Sequence, residues 1–259
     1  MKIASWNVNS LNARHEHLLA WLGSRRPHLV ALQETKLDDH RFPDGEIAAL
    51  GYRSVFSGQK TYNGVALLAR ADAVPAFSDV QAGIPGFADE QKRVIAASVG
   101  DLRIVNLYVV NGQSVGSDKY AYKLRFLEAV HGWLADEMAR HAQLVVLGDF
   151  NIAPDERDVH DPEVWNDDSI LTSTAERAAL RRLLDLGLVD SYRLKHDAGG
   201  VFSWWDYRAA GFRRNLGLRI DLVLLSKALA GRLVDASIDR EPRTWERPSD
   251  HAPAMVTLG

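Results

Sequence analysis

Carboxylates, amides and one imidazole recur along this sequence at the ends of short apolar runs. Asn7-Val8-Asn9 closes the run that begins at Lys2, Gln33-Glu34-Thr35 follows Leu29-Val30-Ala31-Leu32, and Gly148-Asp149-Phe150-Asn151 follows Leu144-Val145-Val146-Leu147. Asp221 stands inside the run 219–225, and Ser249-Asp250-His251 precedes the last apolar run. If these runs are strands, their ends can converge on one rim. The gathered groups then suit a hard divalent cation and a phosphate ester, with donors and acceptors left over for a water molecule.

Taken singly, each cluster has two readings. Glu34 is placed either to ligate a metal or to sit as a solvated strand-end glutamate; Asn7 and Asn9 either face the site or bond to turn backbone. Gly148 permits a tight exit from a buried strand. Asp149 and Asn151, two apart, point the same way if extended, one fit to take a proton and the other to donate to a phosphate oxygen. The alternative there is an Asx-turn. Asp221 interrupts an apolar strand, and an unpaired buried carboxylate is costly, so it needs a partner. His251 would be held protonated and oriented by it; a salt bridge to Arg219 is the competing choice. Tyr108 ends a strand and leads into Asn111-Gly112-Gln113, where a phenol either meets phosphate or packs at an edge. Ser249-Asp250-His251 lacks the glycine-flanked turn of serine hydrolases. Phe202, Trp204, Trp205 and Tyr207, followed by Arg208, Arg213 and Arg214, are a mixture suited to nucleic-acid backbone and exposed-base or sugar contacts; the alternative is that one of the adjacent tryptophans is core and the other surface. Together the clusters share one chemistry and one topological place.

The elements that must position these groups alternate. The pattern predicts strands over 2–8, 28–33, 52–57, 64–70, 93–99, 102–110, 143–148, 219–225, 233–238 and 253–258. A helix over 12–23 places Leu18, Leu19 and Leu22 on one face. A long helix starts near Ser117-Asp118, and another at Ser173, where Glu176 completes a capping box. Residues 151–172, rich in Asp and Glu, and 196–217, rich in Gly, Arg and aromatics, read as loops. Consecutive strands separated by helical runs indicate mixed or antiparallel sheets with helices outside, packed as one domain over 1–259.

Composition sets the remaining bounds. The chain of 259 residues is 46% hydrophobic and 25% charged, as expected of a globular protein with a substantial core. No apolar run approaches membrane-span length, and none near the start has the form of a signal-peptide core. The absence of cysteine excludes disulfides, thiolate metal sites and a cysteine nucleophile, and fits a reducing compartment, so a cytoplasmic protein is expected; with no evident oligomerisation motif, a monomer is the default expectation. The net charge of −3 requires a local basic surface or a bound cation if the partner is a polyanion.

At the level of motifs the chain resembles the exodeoxyribonuclease III family of DNA-repair abasic-site endonucleases, within the broader endonuclease/exonuclease/phosphatase superfamily. Trp6-Asn7-Val8-Asn9, Leu32-Gln33-Glu34-Thr35-Lys36, Tyr62-Asn63-Gly64-Val65-Ala66, Asn111-Gly112 through Tyr120, and Gly148-Asp149-Phe150-Asn151 carry the resemblance. So do Trp204-Trp205-Asp206-Tyr207-Arg208, Gly217 through Asp221 and Ser249-Asp250-His251-Ala252-Pro253. The resemblance implies an α/β four-layer sandwich, two packed mixed β-sheets flanked by helices. It implies a Mg²⁺-dependent hydrolase, with Mn²⁺ as a substitute, that cleaves DNA 5′ of abasic sites and removes 3′-terminal nucleotides or blocking groups. Glu34 then binds the metal with Asn7 beside it and Asp250 nearby. Asp149 activates water, with Tyr108 as the rival base, and Asn151 holds water or phosphate oxygen. His251, oriented by Asp221, contacts the phosphate, as do Tyr108 and Asn111. Trp204, Leu218 and Ile220 match a pocket for a base-less sugar. The implied partner is double-stranded DNA with abasic sites or 3′ ends, with no membrane and no obligate protein partner. Ser10 and Asn12 stand where the family commonly has Gly and Arg, and 151–172 resembles it least. Two other functions share parts of this pattern: a superfamily phosphatase or lipid phosphodiesterase, and a catalytically silent DNA-binding protein.

Overall fold

The computed structural model describes residues 1–259. β1 (Lys2–Asn7) passes through α1 (Leu11–Arg25) to β2 (Leu29–Gln33), and α2 (Asp44–Ala49) precedes the antiparallel pair β3 (Tyr52–Ser57) and β4 (Val65–Arg70). β5 (Phe77–Ala82), β6 (Val94–Val99) and β7 (Leu102–Tyr108) follow, and the long α3 (Asp118–Arg140) carries the chain to β8 (Gln143–Asp149). Next come α4 (Thr174–Asp185), β9 (Leu188–Asp190), α5 (Ser191–Lys195), β10 (Trp204–Trp205), α6 (Gly211–Arg214) and β11 (Gly217–Leu218). β12 (Asp221–Ser226), α7 (Lys227–Ala230), β13 (Leu233–Ile238) and β14 (Ala254–Leu258) complete the chain.

The strands form two six-stranded mixed sheets, in the orders β13-β14-β1-β2-β4-β3 and β5-β6-β7-β8-β12-β9. Side chains alternate along a strand, so each sheet presents two apolar faces. Ile3, Leu29, Ala31, Leu67, Ile104, Val145, Leu147, Val223 and Val256 face inward and fill the space between the sheets. The other face of the first sheet, with Ala4, Trp6, Val30 and Leu32, packs on Leu18, Trp21 and Leu22 of α1. The outer face of the second, with Val105, Val146 and Leu224, packs on Phe126, Leu127, Val130 and Leu134 of α3 and Leu180 and Leu183 of α4. Four layers result, helix–sheet–sheet–helix, as the family resemblance implies. Strands covered on both faces explain why Leu29–Leu32 and Leu144–Leu147 are continuous apolar runs.

The expected caps form. Ser117 accepts from the Tyr120 amide, and Ser173 with Glu176 forms the reciprocal capping box of α4. Several bounds differ. β5 is absent from the predicted strands because it is an edge strand with little burial and no clean alternation. β9 and α5, only three and five residues long, fall below the length at which periodicity is visible. The stretch 196–217 is not pure loop: Trp204 and Trp205 pair antiparallel with Leu218 and Gly217. Asp221 opens β12 and does not interrupt it, because Arg219 and Ile220 belong to the turn before the strand.

One end of the sandwich turns polar. The inward row Ile3-Ser5 continues to Asn7, Leu29-Ala31 to Gln33, Ile104-Asn106 to Tyr108 and Val145-Leu147 to Asp149, while Asp221 heads the row Val223-Leu225. Gln33 and Asn106 are fully buried and join the sheets. Gln33 Nε2 donates to Asn106 Oδ1 (2.8 Å) and to Ser5 Oγ (3.0 Å), and Asn106 Nδ2 donates to the Leu32 and Ala66 carbonyls (both 2.9 Å). Unpaired, such buried amides would each cost about 1–3 kcal/mol; bonded, they pin the spacing of the seam next to the rim.

Candidate active site

Strand register lines up the reactive groups. In the parallel pair β7·β8, Tyr108 lies opposite Asp149, and in the antiparallel pair β8·β12, Asp149 lies opposite Asp221. From the facing sheet, parallel β1 and β2 place Asn7 beside Gln33, one residue before Glu34. Gly148 is required here: at φ +145°, a Cβ would sit 1.9 Å from the Leu107 carbonyl oxygen. Glu34 leaves β2 in a left-handed conformation (φ 54°) and is carried over the rim. The Thr35 and Lys36 amides hang from the Gly64 and Asn63 carbonyls, which fixes that turn.

Asn7 joins the two sheets at the rim. Its Nδ2 donates to Glu34 Oε1 (2.8 Å) and to Asp149 Oδ2 (2.9 Å), while its Oδ1 accepts from the Asn9 amide (2.9 Å). Asp149 Oδ1 accepts from the Asn151 backbone amide (2.9 Å) and Oδ2 from Asn151 Nδ2 (3.2 Å). Asn151 is left-handed (φ 49°), not extended, so the two side chains do not meet by strand alternation as expected: the Asx-turn forms, and it is what turns the amide back onto the carboxylate. Asn111 Nδ2 donates to Asn151 Oδ1 (3.2 Å) and joins the same chain of amides.

His251 Nδ1 meets Asp221 Oδ2 at 2.8 Å, and its Nε2 lies 3.8 Å from Asp149 Oδ2. Arg219, the competing partner for Asp221, instead donates to Asp158 (2.6 Å) and Asp190 (2.7 Å). The histidine segment is pinned on several sides. Ser249 Oγ donates to the Asn7 carbonyl (2.7 Å), Trp6 Nε1 donates to the His251 carbonyl (3.3 Å), and the Trp205 amide donates to the Asp250 carbonyl (3.0 Å). Asp250 lies on the cleft wall with both oxygens engaged, by Asn9 Nδ2 (2.8 Å) and Trp204 Nε1 (3.0 Å).

Burial and charge push these groups in different directions. Burial raises the Asp149 carboxyl above the usual carboxylate range; Asp221 and Glu34 add to this, against His251 and Asn7. Burial also disfavours the charged form of His251, but Asp221 and Asp149, then Asp250, overcome it and push the imidazole up to about 10. Burial likewise works against Glu34, but Lys36, Asn7 and His251 hold it below its ordinary value. Burial beside Glu34 and Asp149 drives the Tyr108 phenol well above its ordinary range, although the Arg93 guanidinium lies over its ring at 4.7 Å. The phenol is therefore a donor at neutral pH.

Donor atoms of Glu34, Asp149 and His251 lie within 4.8 Å of one another. The two carboxylates supply hard oxygen, which suits a hard divalent cation. A protonated imidazole is no ligand but complements an anion. Lys36 Nζ bonds Glu34 Oε2 and Asn9 Oδ1, both at 2.8 Å, so an ion at Glu34 competes with an ammonium already there.

Beside these groups opens a cleft of about 560 Å³. Glu34, Tyr108, Asn111, Asp149, Asn151, Trp204, Ile220, Asp250 and His251 all line it. Leu218 does not: it is fully buried behind Ile220, among Ala153, Val159 and Leu171. Absent from the sequence-derived set are Lys36 and the wall residues His160, Trp165, Ile170, Leu171 and Leu216. The signal for three of them was present: Trp165, Ile170 and Leu171 are apolar residues in an otherwise acidic stretch.

A sandwich of two mixed sheets with a carboxylate–amide–imidazole rim at the seam defines a class, and the comparisons agree with it. The Endonuclease/Exonuclease/phosphatase family model matches residues 4–251, and the chain belongs to that family. It is 37% identical over 265 residues to exodeoxyribonuclease III of Haemophilus influenzae, with 98% of each chain covered. Among solved structures it is similar to a 3′ phosphatase from Neisseria bound to a product DNA hairpin (TM-score 0.97, 46% identity, 100% of this chain and 99% of that one). It is also similar to an AP endonuclease from Archaeoglobus fulgidus (TM-score 0.94, 35% identity, with the same coverage).

Proposed function

We propose that this protein is a divalent-metal-dependent DNA-repair hydrolase, acting on phosphate esters beside abasic sites and at 3′ ends of duplex DNA. The observation that carries this is the meeting of Glu34, Asp149 and His251 at the sheet seam, next to a cleft walled by aromatic and aliphatic side chains. Glu34 holds the cation, with Asn7 beside it; Mg²⁺ is the expected ion and Mn²⁺ a substitute. When bound, the ion polarises a phosphate oxygen and stabilises the leaving 3′-oxygen. Asp149, its carboxylate steered by Asn7 and Asn151, takes the proton of the attacking water. The His251 imidazolium, held by Asp221, and the Tyr108 and Asn111 donors stabilise the charge growing on phosphate, while Asn151, whose Nδ2 donates to Asp149 and to the Val109 carbonyl (3.0 Å), fixes the carboxylate. Trp204, Ile220, Trp165 and Ile170 pack in one cluster and form a wall against which a base-less sugar fits.

Exposed Arg208, Arg213 and Arg214 after the tryptophans favour this reading over a lipid or soluble-ester phosphatase. Within the DNA reading, removal of a 3′-terminal phosphate has particular support from the 46%-identical Neisseria 3′ phosphatase. One assay ranks these activities: cleavage of an abasic duplex, an intact recessed 3′ end, a 3′-phosphate end and a soluble phosphomonoester, each with and without EDTA. DNA turnover abolished by EDTA is expected. Turnover of the soluble ester alone, or DNA cleavage indifferent to EDTA, would overturn the assignment.

A further inference from the structure

Lys123 lies on α3 directly behind the amide chain of the site, and both it and Glu176 are fully buried. An ammonium has three N–H donors, and three acceptors meet this one: the Asn111 carbonyl (3.1 Å), the Asn151 carbonyl (2.7 Å) and the Glu176 carboxylate. None is left for substrate. Asn111 and Asn151 both line the cleft, Asn151 holding the Asp149 carboxylate and Asn111 bonded to Asn151, and they come from different loops, after β7 and after β8. Glu176 extends the connection. Its carboxylate also accepts from the Leu171 amide (3.1 Å), the Ser173 amide (3.1 Å) and Ser173 Oγ (2.6 Å), and Leu171 is part of the cleft wall. The chain passes very close to the lysine stem. At Gly112 (φ +96°) a Cβ would lie 3.2 Å from Lys123 Cδ and 2.9 Å from Ile170 Cδ1.

We infer that Lys123, anchored by Glu176, is a positioning residue for hydrolysis: it clamps the backbones of Asn111 and Asn151 so that the Asn151 amide stays on the Asp149 carboxylate and the Asn111 amide meets the phosphate, in register with the Leu171 wall. The inference rests on the proposed hydrolase function. A purely structural buried pair has a different signature, because replacement by packed neutral groups of similar volume is commonly tolerated. The double variant Lys123→Met/Glu176→Gln tests this. Met matches the lysine stem, and Gln still serves at the third position of a capping box. Wild type and variant are compared by thermal melting, by Mn²⁺ binding followed by electron paramagnetic resonance, and by kinetics on the better of the abasic and 3′-phosphate duplexes. The expected result is a folded variant with unchanged Mn²⁺ affinity and KM, and kcat lower by roughly 10- to 100-fold. A folded variant with wild-type kcat overturns the inference, as does parallel loss of Mn²⁺ affinity, KM and kcat. If the double variant does not fold, Glu176→Gln alone decides: it removes the anion that anchors the ammonium, so kcat falls at constant KM, and an unchanged kcat refutes the role. A wild type inactive on both duplexes defeats the functional reading and this inference with it; an active wild type beside an equally active variant defeats this inference alone.

Discussion

Asp149 and His251 illustrate how burial and neighbouring charge divide the work at the level of single residues. Asp149 opposes Asp221 across the β8·β12 ladder, a repulsive juxtaposition that the imidazole, bonded to Asp221 and 3.8 Å from Asp149, relieves. Asp149→Asn removes the proposed base and is expected to lower kcat by about 10²- to 10⁴-fold. Its stability should move the other way. A carboxyl whose pKa is raised in the folded chain binds its proton more tightly there, so wild-type stability declines as pH rises from the ordinary carboxylate range through that raised value. The Asn variant should lose this decline, which urea titrations at several pH values would show; a decline identical in both proteins would contradict the assignment. Asp221→Asn acts on the opposite limb. Asp221 raises the His251 pKa, so its loss moves the alkaline fall in kcat down from about 10 towards the ordinary imidazole range, visible in pH–rate profiles and in the titration of the His251 ring by NMR. An unmoved limb would separate the pair from catalysis. Glu34, Asp149 and His251 were legible in sequence because each is a polar residue bounding an apolar run. Lys36 and Lys123 were not, since a lysine reads as surface until its acceptors are seen. Nor could the sequence tell which of Asp158, Asp190 and Asp221 would take Arg219.

Among elements, those with many buried positions were readable and those without were not. The capping box at Ser173 could be read from two residue types at the right spacing, and α3 from its run of apolar side chains. β5 hides because an edge strand needs no inward alternation, and the β10·β11 hairpin hides because two residues carry no period. Ser173 has more to do than an ordinary cap: its hydroxyl also meets Tyr120 (2.8 Å) in the buried space between α3 and α4. Ser173→Ala should therefore cost at least about 1 kcal/mol of stability, read from the urea midpoint with an unchanged slope. A loss well below that would mean the helix start is held by Glu176 alone.

For the whole molecule, the net charge of −3 and an electronegative rim stand against a polyanionic partner. Exposed Arg208, Arg213 and Arg214 and a bound cation must supply the local attraction. Affinity for duplex DNA should then fall linearly with salt on logarithmic axes, with a shallow slope set by few phosphate contacts. Fluorescence anisotropy across a salt series checks this, and a flat response would exclude the polyanion. No helix is long and apolar enough to cross a membrane.

Half of the reactive groups hang from one sheet and half from its partner, with Asn7 as their meeting point. Prying the layers apart therefore disarms the protein before either layer has to melt. Neither half of the chain can own the chemistry, and a partly assembled molecule, however much native secondary structure it has, would be inert. Turnover is thus a gauge of completed docking, and its loss on denaturation should track separation of the layers.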